Sequence, residues 1–128
     1  MTLLKNEFFE IEKLEHSTGL IVSTIKINSS HTIFDGHFPN NPITPGVVQL
    51  QITKEILEDV FQKELLLKEM RNCKFLAILN PTETPIFDLE INYETIDDAT
   101  FQVSAKGTTE DESKTFFKFT AKYEMNHE

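Results

Sequence analysis

Phe34-Asp35-Gly36-His37-Phe38-Pro39-Asn40-Asn41-Pro42-Ile43-Thr44-Pro45-Gly46-Val47-Val48 separates two kinds of hydrophobic patterning, and the rest of the chain is read outward from it. It holds three of the chain's five prolines. Neither a helix nor a strand tolerates that density, so about residues 29–45 form an ordered loop. Thr44-Pro45-Gly46 reads as a helix entrance, with Thr44 as cap and Pro45 at the first helical position.

Downstream, the spacing predicts a helix from about Pro45 to Phe61. At 100° per residue Val48, Ile52, Ile56, Val60, Leu57, Leu50 and Phe61 form one broad apolar arc. Gln51, Glu55, Glu58 and Gln62 fall together on the other side. The arc is wider than a surface helix needs, which predicts a sheet wrapped around it. Upstream the period is two. Phe8 to Leu14 sets Phe9 and Ile11 against Glu10 and Glu12, and Leu20 to Asn28 alternates Ile21, Ser23, Ile25 and Ile27 with Val22, Thr24 and Lys26. With Ser17-Thr18-Gly19 between them, these runs read as a hairpin. Beyond the helix, 62–72 reads as a charged connection that includes at most a helical turn. Strands are expected at Cys73–Leu79, Ile86–Ile96, around Phe101–Ala105 and Lys114–Met125, with a polar loop at Gly107–Ser113. Two strands, a loop, one buried helix and about four strands make an α+β domain, an antiparallel sheet of about six strands covering one long helix. One domain spanning 1–128 is expected.

Composition narrows the function. Lys and Arg number 12 against 21 Asp and Glu, a formal charge of −9, and the pI is near 4.9. Nucleic acid is therefore excluded as the main partner, because phosphate binding needs clustered positive charge. No apolar run approaches the roughly 20 residues of a membrane span, and no signal-peptide pattern opens the sequence, so a cytoplasmic protein is expected. The single Cys73 excludes an internal disulfide and a Cys-based zinc site, and reads as a small buried hydrophobe. His31 and His37 have no further His/Cys cluster to complete a metal site, so no metal and no cofactor are expected. His16 sits beside a turn and His127 in a tail, where exposure accounts for them. Phe supplies 11 of the aromatics, Tyr 2 and Trp none. Core packing explains most of these, and the excess also suits an apolar interface or a slot for a greasy ligand.

Gly36, His37, Phe38, Pro39, Pro42, Pro45, Gly46 and Val47 stand in one fixed frame. That frame closely resembles the signature of the β-hydroxyacyl-acyl-carrier-protein dehydratases, the FabZ/FabA-like hotdog family. The order of hairpin, helix, Lys74-Phe75 strand, proline-containing bend and terminal meander extends the likeness along the chain. The resemblance implies the hotdog fold and loss of water from a 3-hydroxyacyl thioester to give a trans-2-enoyl thioester. It also implies acyl carrier protein, with its phosphopantetheine-linked acyl chain, as partner, and a homodimer or a dimer of dimers. His37 becomes the base, Phe38 and Pro39 line the substrate, and the Gly46 and Val47 amides hold the thioester carbonyl. The chemistry is reasonable for these residue types. An imidazole of ordinary pKa about 6.5 exchanges protons near neutrality. A helix start gathers free N–H groups and positive dipole, and polarising the carbonyl acidifies the neighbouring C–H.

The chain departs from the family at three places. The helix carboxyl, supplied in the family by the neighbouring subunit, falls at position 51, where this sequence has Gln51. An amide bonds a hydroxyl but does not protonate it at pH 7, and loss of a general acid lowers rates roughly 10²–10⁴-fold. Three readings stand side by side: His37 works alone, Glu55 assists from one turn along, or the chain is a weakened partner that pairs with an active dehydratase. A thioesterase is less favoured, since its helix carboxylate is missing as well. Asn40 stands where glycine is common. Leu76 and Ala77 replace a basic pair after Phe75, which leaves Lys63, Lys68, Arg71 and Lys74 as the concentration of positive charge for an acidic carrier.

Overall fold

A computed structural model describes residues 4–35 and 42–125. Strands β1 (Phe9–Ser17) and β2 (Leu20–Ile27) form the first hairpin. A short 3₁₀ turn (Thr32–Phe34) precedes helix α1 (Gly46–Phe61), and β3 (Leu65–Phe75), β4 (Ile86–Thr95), β5 (Thr100–Thr108) and β6 (Thr115–Met125) follow. The six strands make one antiparallel sheet in the order β1-β2-β4-β5-β6-β3. Helix α1 separates β2 from β3 in sequence, and β3 closes the edge opposite β1.

The period-two runs bury the faces that the pattern assigns. Ile21, Ile25, Ile27, Phe87, Leu89, Ile91, Phe101, Val103, Phe117, Phe119 and Tyr123 are buried, and Val48, Ile52, Ile56 and Leu57 of α1 join the same core. Burial of this apolar area is the main favourable term in folding. Most phenylalanines are therefore core residues, although Phe75 is half exposed.

Several expectations need correction. Residues 65–75 form a strand rather than a charged connection. Only Leu65 of β3 is buried, and the pairing with β6 shifts register twice, between Leu67 and Glu69 and between Met70 and Asn72. An edge strand with two bulges has no sustained alternation to read. Cys73 lies on this strand and is exposed rather than buried. The helix begins at Gly46, with Pro45 in the cap position at ψ 148°, so Thr44 caps nothing. Glu55 and Glu58 are buried rather than solvated. The N-terminal turn covers Glu55, and the entry to β3 covers Glu58: Leu4 and Lys5 donate backbone N–H groups to Glu55, and Leu65 donates to Glu58 Oε2 at 2.9 Å.

Candidate functional site

Helix α1 starts directly from the proline-rich loop, because Pro45 has no N–H to give and its fixed φ leads into the first turn. Val48 and Gln49 donate their N–H groups to the Pro45 carbonyl at 3.0 and 3.2 Å. The Gly46 and Val47 amides find no acceptor among the described residues, as expected of a first helical turn. The adjoining segment after β3 is tied down by Thr44 N–H donating to Leu79 O at 2.9 Å and Leu76 N–H to Phe116 O at 2.8 Å. Between them runs a groove of about 390 Å³, lined by Ile43, Thr44, Pro45, Gly46, Gln49 and residues 75–79.

Gly46 lets a side chain pack closely here, for a reason the motif does not reveal. A Cβ on it would lie 2.5 Å from Phe75 Cζ, so the ring packs flat over the helix start. Phe75 thereby forms one wall of the groove, and Leu76 and Ile78 beside it are exposed.

Gln51 lies five residues along α1 and is half buried. Its Nε2 donates to Glu55 Oε2 at 2.8 Å. The same carboxylate accepts from Leu4 N–H at 2.9 and 3.0 Å and from Lys5 N–H at 2.9 Å. A carboxylate only accepts, so the nitrogen of the Gln51 amide faces Glu55 and Oε1 is directed elsewhere. Glu55 is thus occupied as a clamp on the N-terminal turn, and Lys5 adds an ion pair to Asp59 at 2.6 Å.

Gly36, His37, Phe38, Pro39 and Asn40 lie outside the described residues, as does His127. Of the predicted site residues, Gly46 lies in the groove wall, and Val47 follows it on the exposed side of the helix start. His31 is structural: its Nδ1 accepts from Ile33 N–H at 3.0 Å and its ring meets Phe8 edge-on. His16 is exposed and bonds the Tyr93 hydroxyl at 2.7 Å. Among the described residues no cluster of three or more His, Cys, Asp or Glu is arranged to hold a metal ion.

The four basic residues do not form one patch. Lys63 follows α1, while Lys68, Arg71 and Lys74 lie on β3. Lys68 is 3.9 Å from Glu124 and Arg71 is 3.3 Å from Glu69. Lys74 stands opposite Lys118, which stands opposite Lys106, in a row across the outer face of the sheet.

Three polar features escaped the pattern reading. Thr44 Oγ1, Gln49 Oε1 and Glu58 Oε1 are buried with no hydrogen-bond partner among the described residues. Gln49 was visible in principle, since at 100° per residue it falls in the middle of the apolar arc. Burial, with the nearby Glu58 charge as the smaller cause, pushes the Tyr123 hydroxyl up to about 12.

Comparison with known proteins gives the family and the fold. Residues 12–116 match the family described as ApeI-like, ApeI dehydratase. The chain is 28% identical over 127 residues to the 3-hydroxyacyl-[acyl-carrier-protein] dehydratase FabZ of Rickettsia conorii, covering 93% of this chain and 83% of that one. With the FabZ of Caldanaerobacter subterraneus subsp. tengcongensis it shares 26% identity over 97 residues, 70% of this chain and 66% of the relative's length. The fold matches the dehydratase heterocomplex ApeI:P from Xenorhabdus doucetiae with a TM-score of 0.69 at 18% identity, covering 90% of this chain and 96% of that one. A hypothetical thioesterase with coenzyme A from Streptococcus pneumoniae TIGR4 matches with a TM-score of 0.64 at 16% identity, over 94% and 87% of the two chains. The six antiparallel strands and one helix of this chain match the hotdog fold of such neighbours.

Proposed function

Because this chain belongs to the ApeI-like family of dehydratases, with residues 12–116 matched, we propose that it is a hydro-lyase acting on 3-hydroxyacyl thioesters of acyl carrier protein. The observation that carries the reading is the start of α1, where Gly46, whose amide has no acceptor among the described residues, lines a largely apolar groove and Val47 follows it in the first turn. A thioester carbonyl accepts from these amides, and the helix dipole adds to the polarisation. His37 takes the proton from C2. The electron pair forms the C2–C3 double bond, and the 3-hydroxyl leaves with a proton as water. The product is a trans-2-enoyl thioester, made in fatty acid or polyene-type biosynthesis.

Gln51 replaces a proton donor by an amide that bonds the hydroxyl. His37 then carries its proton across to the leaving oxygen, since the Glu55 carboxylate is already engaged by three donors. Phe38 and Pro39 flank the bound acyl chain. The whole chain, 1–128, works as one domain in the cytoplasm, and copies pair along the β3 edge into a dimer or a dimer of dimers. Exposed Leu66 and Leu67 support that edge as the contact. Of the four basic residues Lys63, Lys68, Arg71 and Lys74 proposed to meet the acidic carrier, Lys74 is the one that Lys118 and Lys106 continue across the sheet. No helix among the described residues is long and apolar enough to cross a membrane.

A second reading rests on Gln51 itself and on the heterocomplex named for the Xenorhabdus relative: a weakened or inactive subunit that pairs with a complete dehydratase. Purified protein incubated with a 3-hydroxyacyl carrier thioester separates these readings. Enoyl formation supports the enzyme. Its absence, with activity appearing only on addition of an active dehydratase, supports the accessory subunit, and release of free thiol identifies a thioesterase.

A further inference from the structure

Two buried polar atoms at the start of α1 have no partner among the described residues, and each must be accounted for. Thr44 is 2% exposed and Gln49 is 3% exposed. Gln49 Nε2 donates to the Thr44 carbonyl at 3.0 Å, which fixes the amide so that Oε1 is the atom left over. Thr44 Oγ1 is left over as well, because Pro45 takes the cap position and the Thr44 N–H is committed to Leu79. A buried acceptor without a donor is costly, so native structures rarely keep one that a ligand or partner does not satisfy. The other groove walls are apolar: Ile43, Pro45, Phe75 and the exposed Leu76 and Ile78.

We propose that Thr44 and Gln49 form a subsite for a secondary amide, whose N–H donates to Gln49 Oε1 and whose carbonyl accepts from the Thr44 hydroxyl. An unpaired acceptor beside an unpaired hydroxyl complements one donor and one acceptor on a neutral planar group, and the apolar walls exclude a charged one. Resting on the function proposed above, the amide is one from the pantetheine arm that bears the thioester. The groove opens at Leu76 and Ile78, the side from which an arm enters, and Gln49 lies one helical turn below the Gly46 amide that receives the carbonyl. Coenzyme A and carrier protein share this arm, so the subsite reads the amide in either.

The test measures binding, with no need for turnover. Hexanoyl-pantetheine, hexanoyl-coenzyme A and hexanoyl carrier protein lack a 3-hydroxyl but keep the amides, whereas S-ethyl hexanethioate lacks both. Calorimetric titration of the full chain should show Gln49→Met and Thr44→Val each weakening the three amide-bearing ligands about tenfold, with S-ethyl hexanethioate unaffected. The two near-isosteric substitutions stand at different residues, so either folded variant suffices. Equal binding by wild type and variants overturns the subsite, as does failure of the wild type to bind any amide-bearing ligand. A loss seen only with 3-hydroxyhexanoyl-pantetheine overturns it too, because the recognised group is then the substrate hydroxyl. Enoyl formation by a wild type whose variants bind normally sinks the subsite and leaves the dehydratase reading intact. Variant-sensitive binding without enoyl formation does the reverse.

Discussion

Removing the Glu55 carboxylate should release the N-terminal turn and the Gln51 amide together. The side chain is fully buried and accepts from Leu4 N–H, Lys5 N–H and Gln51 Nε2 at 2.8–3.0 Å. Hydrogen bonds to a charged group contribute about 1.5–3 kcal/mol each. In Glu55→Ala the two backbone donors regain water as the turn lifts off α1, so the net loss is about 3–4 kcal/mol rather than the full sum. Glu55→Gln keeps one acceptor oxygen but turns its NH₂ toward that of Gln51, at a cost of about 2 kcal/mol. Unfolding entropy near 2.1 cal/mol/K per residue makes about 0.27 kcal/mol/K for this chain, so Tm should fall by about 11–15 °C for alanine and about 7 °C for glutamine. Asp59→Asn removes only the Lys5 ion pair, whose members are 25% and 34% exposed, and should cost about 1 kcal/mol or less. Calorimetry gives the Tm values, and amide exchange at Leu4 and Lys5 reports the turn directly. A drop below about 4 °C for Glu55→Ala, with Leu4 and Lys5 still protected, would refute the clamp.

Three further outcomes follow from the same coordinates. Tyr123 holds its proton to about 12 because burial and the nearby Glu58 charge oppose the phenolate, so the unfolded chain loses its proton first as pH rises. Stability should decline between about pH 10 and 12 by up to about 2–3 kcal/mol more in wild type than in Tyr123→Phe, as read by urea denaturation across that range. A Cβ on Gly107 would run into the Phe117 ring, which is buried and stacked on Phe119, whereas one on Gly46 meets the half-exposed Phe75, which can swing aside. Gly107→Ala should therefore cost about 2–3 kcal/mol and Gly46→Ala under about 1 kcal/mol, with Phe75→Leu restoring the latter in a thermal melt. Cys73 stands exposed on the β3 edge of a single chain. If copies pair there, thiol labelling should be slow at high protein concentration and rise on dilution; a rate independent of concentration counts against that interface.

Local patterning in the sequence determined most of the architecture. Period-two runs with one buried face named β1, β2, β4, β5 and β6, and the arc from Val48 to Phe61 named the helix, because side-chain burial repeats with backbone geometry. The Gly36–Val47 frame pointed to the family for a different reason: an unusual succession of prolines and glycines is a recognisable string whatever it packs against. Tertiary structure alone decided the rest. Strand β3 carries no alternation, because an edge strand with two bulges takes its definition from Phe117–Met125 on its neighbour. Glu55 and Glu58 sit on the polar side of the helix wheel yet are buried, since Leu4 and Lys5 arrive from the far N-terminal turn to donate to Glu55, and the chain turns back after α1 so that Leu65 donates to Glu58. The same holds for Phe75 over Gly46 and for the unpaired atoms of Thr44 and Gln49. Burial and hydrogen-bond satisfaction at these positions depend on residues remote in sequence, which a local pattern does not contain.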